Sequence, residues 1–183
     1  MKKSISGVII ELRQGDIANQ VDCEAVVNAA NARLETGGGV AGAIHRAAGS
    51  GLVKEAQPLG PIKPGEAVIT GGHNLPNEYV IHCLGPVYGR DKPEQELLSK
   101  CYKNALVLAE QNKITSIAFP AISTGVFGYP VEDAAKVAFS TVIEKIHNLQ
   151  YVKQIVFVLF STQDLELHER VLEQTLQGKD YPG

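Results

Sequence analysis

The sequence predicts a layered α/β domain built on a mixed β-sheet, and three observations carry that expectation. Short β-branched runs alternate with longer segments of helical periodicity through most of the chain. The last three strand candidates are apolar almost without interruption, the pattern of strands covered by helices on both faces. At 183 residues, with 44% hydrophobic and 20% charged residues, the chain has the size and composition of one globular domain.

Taken in order, Val8 to Leu12 and Glu24 to Asn28 read as strands, bounded by Gly15-Asp16 and by Asn31. The first lies close to the terminus and is expected to form an antiparallel edge. Val40 to Ala48 carries Ala, Ile and His at helical spacing and stops at Gly49, a helix with a glycine stop. Pro58 to Pro64 is connecting chain. Ala67 to Thr70 and Tyr79 to Leu84 are strand candidates on either side of the turn-forming segment Gly71 to Pro76. Glu94 to Asn112 then reads as a helix, Ile114 to Phe119 as a strand, Val131 to Leu149 as a helix, Gln154 to Phe160 as a strand and Asp164 to Leu176 as a helix. No repeat or linker divides residues 1–177, and Gly178 to Gly183 are expected to fray.

Composition narrows the function classes. A net charge of −3, with no Lys/Arg stripe interleaved with aromatics, argues against extended nucleic acid as the main partner. The longest apolar run, Ile155 to Phe160, is too short to span a bilayer, and Met1 to Ile5 is not followed by a signal-peptide core. A cytoplasmic location with no membrane partner is therefore expected. Cys23, Cys83 and Cys101 are odd in number and lack Cys-x-x-Cys spacing, so they read as buried thiols. His73 and His82 form no metal-ligand spacing, and His147 and His168 lie on helices with polar exposed faces. These four histidines are assigned to structure, and no metal site or cofactor is expected.

In open α/β sheets, ligands bind outside the carboxyl ends of the strands. Four segments of this chain occupy such positions: Gly15-Asp16-Ile17, Asn28 through Gly42, Pro120 through Pro130, and Phe160-Ser161. The densest holds Asn28-Ala29-Ala30-Asn31, then Gly37-Gly38-Gly39-Val40-Ala41-Gly42, then a helix. Consecutive glycines let backbone approach a ligand and leave N–H groups pointing outward, which suits an anion, although glycine also serves plain turns. The second, Ser123-Thr124-Gly125-Val126-Phe127-Gly128-Tyr129-Pro130, repeats that donor logic and adds two aromatics, which suits phosphate joined to a ribose-like group. Phe160 offers a stacking face for a base, or else is core. Asp16 caps a turn, or else accepts from an exocyclic amine such as that of adenine. His45 lies on the glycine-loop helix, close enough in sequence to Asn31 to share a site.

Three other motifs fit less well. Gly37, Gly39 and Gly42 match the dinucleotide pattern G-x-G-x-x-G, but eight residues separate Asn28 from Gly37 where a tight strand-to-helix turn is required. No Gly-Lys-Ser/Thr follows, which rules out a Walker loop. Ala121-Ile122-Ser123-Thr124-Gly125, with Asp164 and His168, follows the order of an α/β-hydrolase triad, yet Ala121 stands where the elbow needs glycine.

Together the segments resemble the macro domain family: Gly15-Asp16-Ile17, Val27 to Asn31, Gly37 to His45, and Pro120 to Gly128, in matching order and spacing from about Val8 to Leu176. The resemblance implies a three-layer α/β/α sandwich with a six-stranded mixed sheet and a cleft for ADP-ribose, free or attached to protein. It implies that Asp16 accepts from the adenine amino group beside the Ile17 backbone and that Phe160 stacks on adenine. Gly38, Gly39 and Val40 line one side of the diphosphate and distal ribose, and Ser123, Thr124, Gly125, Val126 and Phe127 line the other. Asn31 holds the distal ribose hydroxyls. For catalysis it implies Asn28, Asn31, His45 and Phe127, acting on ADP-ribosyl carboxylate esters or O-acetyl-ADP-ribose. Hydrolases of the MacroD-like class carry Asp after the glycines where this chain has Ala41, although members with Gly-Gly-Gly-Val-Ala, viral ones included, are known as hydrolases. A non-catalytic reader of ADP-ribose is the alternative.

Overall fold

The chain opens with a hairpin absent from the expectations above. Lys2–Ile5 (β1) and Val8–Gln14 (β2) pair antiparallel, joined through Ser6 and Gly7 at φ 50° and 79°. Two successive positive φ values give the backbone twist that a tight hairpin needs, and Ser6 adopts one without being glycine. The computed structural model describes residues 1–177 and 179. The fraying expected of Gly178 to Gly183 concerns residues that, Lys179 apart, lie outside the described ones.

Ala25–Ala29 (β3) leads to helices Gly39–Ala48 (α1) and Ser50–Ala56 (α2), then to strands Ala67–Gly71 (β4) and Tyr79–Cys83 (β5). Glu94–Gln111 (α3), Ser116–Phe119 (β6), Val131–Ile146 (α4), Gln154–Leu159 (β7) and Thr162–Leu176 (α5) complete the order. Helix α1 stops at Gly49, φ 81°, as its sequence requires. Helix α2 follows at once and leads into a short 3-10 turn at Gln57–Leu59, which takes up the start of the segment read as connecting chain. Ser161 caps α5, its hydroxyl accepting from the Asp164 N–H at 3.1 Å.

Among the described residues the strands form one mixed sheet in the order β1-β2-β7-β6-β3-β5-β4, seven rather than the six expected. The extra strand is β1, whose Lys-Lys-Ser start hides it from a search for apolar alternation. It also displaces β2 from the edge: β2 pairs parallel with β7 on its other side, so the antiparallel edge is β1. Strands β2, β7, β6, β3 and β5 run parallel, and β4 closes the far edge antiparallel.

Alternation along each strand sorts side chains to the two faces. Val27, Ile81, Phe119 and Phe157 point toward α3, α4 and α5, joining Tyr102, Phe139 and Leu172. Val26, Val80, Ala118 and Val156 point toward α1 and α2, joining Ile44, Ala48 and Leu52. The result is the expected α/β/α sandwich. Burying an Ile or Leu such as Ile44 or Leu52 contributes about 1.5–3 kcal/mol, and here that burial clamps the helix carrying the first glycine loop onto β3. Cys23, Cys83 and Cys101 are buried free thiols. Among the described residues no helix is long and apolar enough to cross a membrane.

Candidate functional site

Parallel strands bring their carboxyl ends to a single edge, so strand order becomes an order of loops. From β2 through β7, β6 and β3 to β5 the edge presents Asp16, then Phe160, then the Ser123 loop, then the Asn31 and glycine loop, then Gly85. At about 4.8 Å per strand this edge extends roughly 19 Å. All four segments singled out in the sequence lie on it.

At one end, Gly15 N–H donates to the Leu159 carbonyl at 3.0 Å, joining the two chain exits. Asp16 Oδ1 accepts from Ala18 N–H at 2.9 Å, so the turn-capping reading holds, and Ile17 is buried beside it. Phe160 sits just past β7 and is 90% exposed. An unpacked phenyl ring at a strand end is a flat apolar surface with no structural duty in the core.

The first glycine loop is held in shape by Asn31. Its Nδ2 donates to the Glu35 carbonyl at 2.9 Å and its Oδ1 accepts from Glu35 N–H at 3.0 Å. Leu34, at φ 57°, is fully buried against Ala30, Ala56, Ile62 and Leu84, anchoring the loop from below. The loop lies directly on its own helix, for a Cβ at Gly42 would stand 2.5 Å from the Gly37 carbonyl oxygen. Helix α1 starts after Gly38 with no side-chain cap and no acid in its first turn. Its first N–H groups, at Gly39, Val40 and Ala41, lack intrahelical acceptors and form a positive pole.

The second loop leaves β6 and turns at Ser123, φ 67°, whose buried Oγ has no partner among the described residues. It packs so closely on Gly85 that a Cβ there would collide with Ser123 Oγ. Tyr129 N–H to the Ser123 carbonyl at 2.9 Å and Gly128 N–H to the Gly125 carbonyl at 3.0 Å close the turn, and Thr124 Oγ1 donates to the Ala121 carbonyl at 2.8 Å. Among the described residues the backbone N–H groups of Gly125, Val126 and Phe127 have no acceptor. Val126 is fully exposed, while Phe127 packs on the Leu34, Ile62 and Leu84 cluster. Two backbone cradles thus flank the middle of the edge, suited to an anion without any basic side chain.

With this geometry in place, the Macro domain family model matches residues 27–138. The chain belongs to the Macro domain family. It is 47% identical to the O-acetyl-ADP-ribose deacetylase of Salmonella typhimurium, covering 93% of this chain and 97% of that protein. A macro domain-containing protein of Chlorobaculum tepidum is 46% identical, covering 90% and 96%. The fold superposes on the Oceanobacillus iheyensis macrodomain with ADP at a TM-score of 0.93 and 38% identity, covering 98% and 97%. The Trypanosoma brucei macrodomain in complex with ADP-ribose gives a TM-score of 0.81 and 36% identity, covering 88% and 68%.

Beneath the first loop of this macro domain lies a buried polar layer that the sequence did not reveal. Asn28 on β3 and His82 on β5 are register partners, with Asn28 Nδ2 3.1 Å from His82 Nδ1. His82 Nε2 lies 2.9 Å from Thr70 Oγ1, which donates to the Gly71 carbonyl at 3.1 Å. His45, on α1, tilts against His82 with ring centres 6.4 Å apart, and among the described residues neither of its nitrogens has a partner. Burial lowers the pKa of His45; burial and then the nearby His45 push that of His82 down to about 3. Both rings are neutral at pH 7.

His45 therefore joins the layer around Asn28, whereas the Asn31 amide is engaged with Glu35. His73 pairs with Glu55 and His147 with Ser6, as structural histidines do. His168 Nδ1 lies 2.7 Å from the Asp164 carbonyl and its ring meets Phe139 edge-on, so no triad forms with Ser123. Asn31 and Phe127 also line a cavity of about 370 Å³ with Lys63, Leu84, Gly85 and Arg90. A larger cavity of about 470 Å³, between Tyr88, Glu94, Tyr129 and Asp133, takes only Tyr129 from the segments singled out in the sequence. The edge is open to solvent, with Phe160 and Val126 its most exposed large apolar side chains.

Proposed function

We propose that the groove binds ADP-ribose and hydrolyses esters at its distal ribose, releasing ADP-ribose from O-acetyl-ADP-ribose and from carboxylate esters on proteins. The observation that carries this reading is the paired set of acceptor-free backbone N–H groups, Gly39 to Ala41 and Gly125 to Phe127. They suit a diphosphate. The named relative from Salmonella typhimurium supports the reaction.

Adenine lies at the β2 and β7 end, stacked on Phe160 and donating its amino group to Asp16 beside Ile17. Gly38, Gly39 and Val40 take one side of the diphosphate, and Ser123, Thr124, Gly125, Val126 and Phe127 the other. The distal ribose then falls over Asn31, whose second N–H and remaining lone pairs are open to hydroxyls, and over Asn28, whose Oδ1 lacks a donor among the described residues. The cavity shared by Asn31 and Phe127 receives the acyl group.

In hydrolysis, a water oxygen adds to the ester carbonyl carbon, the bond to the ribose oxygen breaks, and a proton passes to that oxygen as the acid leaves. Ala41 supplies no base, so a ligand phosphate oxygen positions and partly activates the water. Neutral His45 orients a hydroxyl or water, and Phe127 restricts the ribose orientation. Positioning supplies most of the acceleration.

The absence of any acid from the first turn of α1 favours a second reading, a reader that binds ADP-ribose without chemistry. Calorimetry with ADP-ribose tests the common part: no heat at about 1 mM ligand, where binding is worth about −4 kcal/mol, removes both readings. A time course with ester-linked and O-glycosidic substrates then separates enzyme from reader.

A further inference from the structure

We infer that His82, held by Thr70, is a positioning residue that turns the Asn28 amide so that Nδ2 is spent inside the fold and Oδ1 accepts a hydrogen bond from the ligand's distal sugar. The inference rests on the ADP-ribose reading proposed above and names how the distal subsite is built.

The direction of the relay is set at its far end. A backbone carbonyl only accepts, so the single hydroxyl proton of Thr70 goes to the Gly71 oxygen 3.1 Å away. Thr70 Oγ1 must then accept from His82 Nε2–H at 2.9 Å. A neutral imidazole carries one N–H, which makes Nδ1 the acceptor for Asn28 Nδ2 at 3.1 Å. The opposite tautomer would require Thr70 to abandon Gly71 and would leave an amide N–H₂, not an oxygen, as the unspent end of Asn28.

Register explains why these residues meet. Asn28 and His82 are Cα partners on parallel neighbours, and Thr70 stands two residues from Val68, the β4 partner of His82. All three side chains share the face that α1 covers. What remains there, among the described residues, is a buried Asn28 Oδ1 without a donor, while His82 faces a His45 ring that also has no partner. A desolvated acceptor with no donor is destabilising until something completes it, and a sugar hydroxyl has the proton it lacks. The subsite accordingly selects a hydroxyl donor at the distal sugar.

The test compares ADP-ribose with ADP, which lacks the distal sugar, by calorimetry on wild type, Thr70→Val and Thr70→Ser, with the His82 tautomer read from two-bond ¹H–¹⁵N imidazole correlations. We expect the Nε2–H tautomer in wild type. Thr70→Val should weaken ADP-ribose roughly fivefold, the weight of about one neutral hydrogen bond, with ADP unchanged and Thr70→Ser restoring the wild-type ratio. An Nδ1–H tautomer in wild type, equal losses for both ligands, or no loss for ADP-ribose overturns the inference. If Thr70→Val does not fold, the wild-type tautomer decides alone. Failure of wild type to bind either nucleotide would instead strike the ADP-ribose reading itself.

Discussion

A Cβ placed on Gly42 would stand 2.5 Å from the carbonyl oxygen of Gly37, so the first glycine loop rests on the helix it begins. Gly42 lies inside α1 without a positive φ, where alanine would ordinarily stabilise a helix by about 1 kcal/mol. Here the methyl must push the loop off α1. Gly42→Ala is expected to lower the melting temperature and weaken ADP-ribose binding about tenfold or more, as measured by thermal unfolding and calorimetry. A more stable variant with unchanged affinity would show that the loop does not form half of the phosphate cradle.

Phe160 offers the opposite case, because a ring that is 90% exposed contributes nothing to the core. Base–aromatic stacking is worth about 1–3 kcal/mol. Phe160→Ala should therefore weaken ADP-ribose roughly 5- to 150-fold and leave the melting temperature within error. An unchanged dissociation constant would remove the stacking role.

Asp16 serves the turn through Oδ1, which Asn can imitate. Asp16→Asn should keep wild-type stability and lose affinity for adenine nucleotides, since its amide can present an N–H₂ where adenine also donates. Asp16→Ala should lose both. Parallel unfolding and binding curves separate the two roles, and equal affinity in wild type and Asp16→Asn would return Asp16 to the turn alone.

Ala41→Asp supplies a carboxylate in the first turn of α1. One general acid or base contributes about 10²–10⁴ in rate, so wild type should release ADP-ribose from ester-linked substrate slowly and Ala41→Asp faster within that range. Release by Ala41→Asp with none by wild type would make the natural protein a reader.

Stability should fall between pH 7 and pH 5. His82 is held neutral to about 3 in the fold, whereas the unfolded chain takes up its proton near 6.5. The unfolded state therefore binds more protons below that value, and stability declines as pH falls through the window. His82 alone accounts for about 2 kcal/mol by pH 5. His45 and His168, both lowered by burial, act with the same sign. Urea unfolding at the two pH values checks this, and a pH-independent midpoint would contradict a neutral buried His82.

Sequence alone determined the alternation of strands and helices, the glycine stop at Gly49 and the two glycine loops, because periodicity, capping and φ preferences are local properties. It also placed Asp16 and Phe160 after strands, which suffices once those strands are parallel. The β1 hairpin escaped it because Lys2, Lys3 and Ser4 show no apolar alternation and Ser6-Gly7 is a weak turn signal in isolation. The tertiary structure alone decided which strands are neighbours, and with that the line of loops along one edge. It likewise decided that His82, 54 residues from Asn28 in the chain, is that residue's hydrogen-bond partner. A two-residue strand period tells which face a side chain takes, but the strand lying beside it is set by pairing between distant segments. That pairing brought Thr70, His82 and Asn28 into one hydrogen-bonded row.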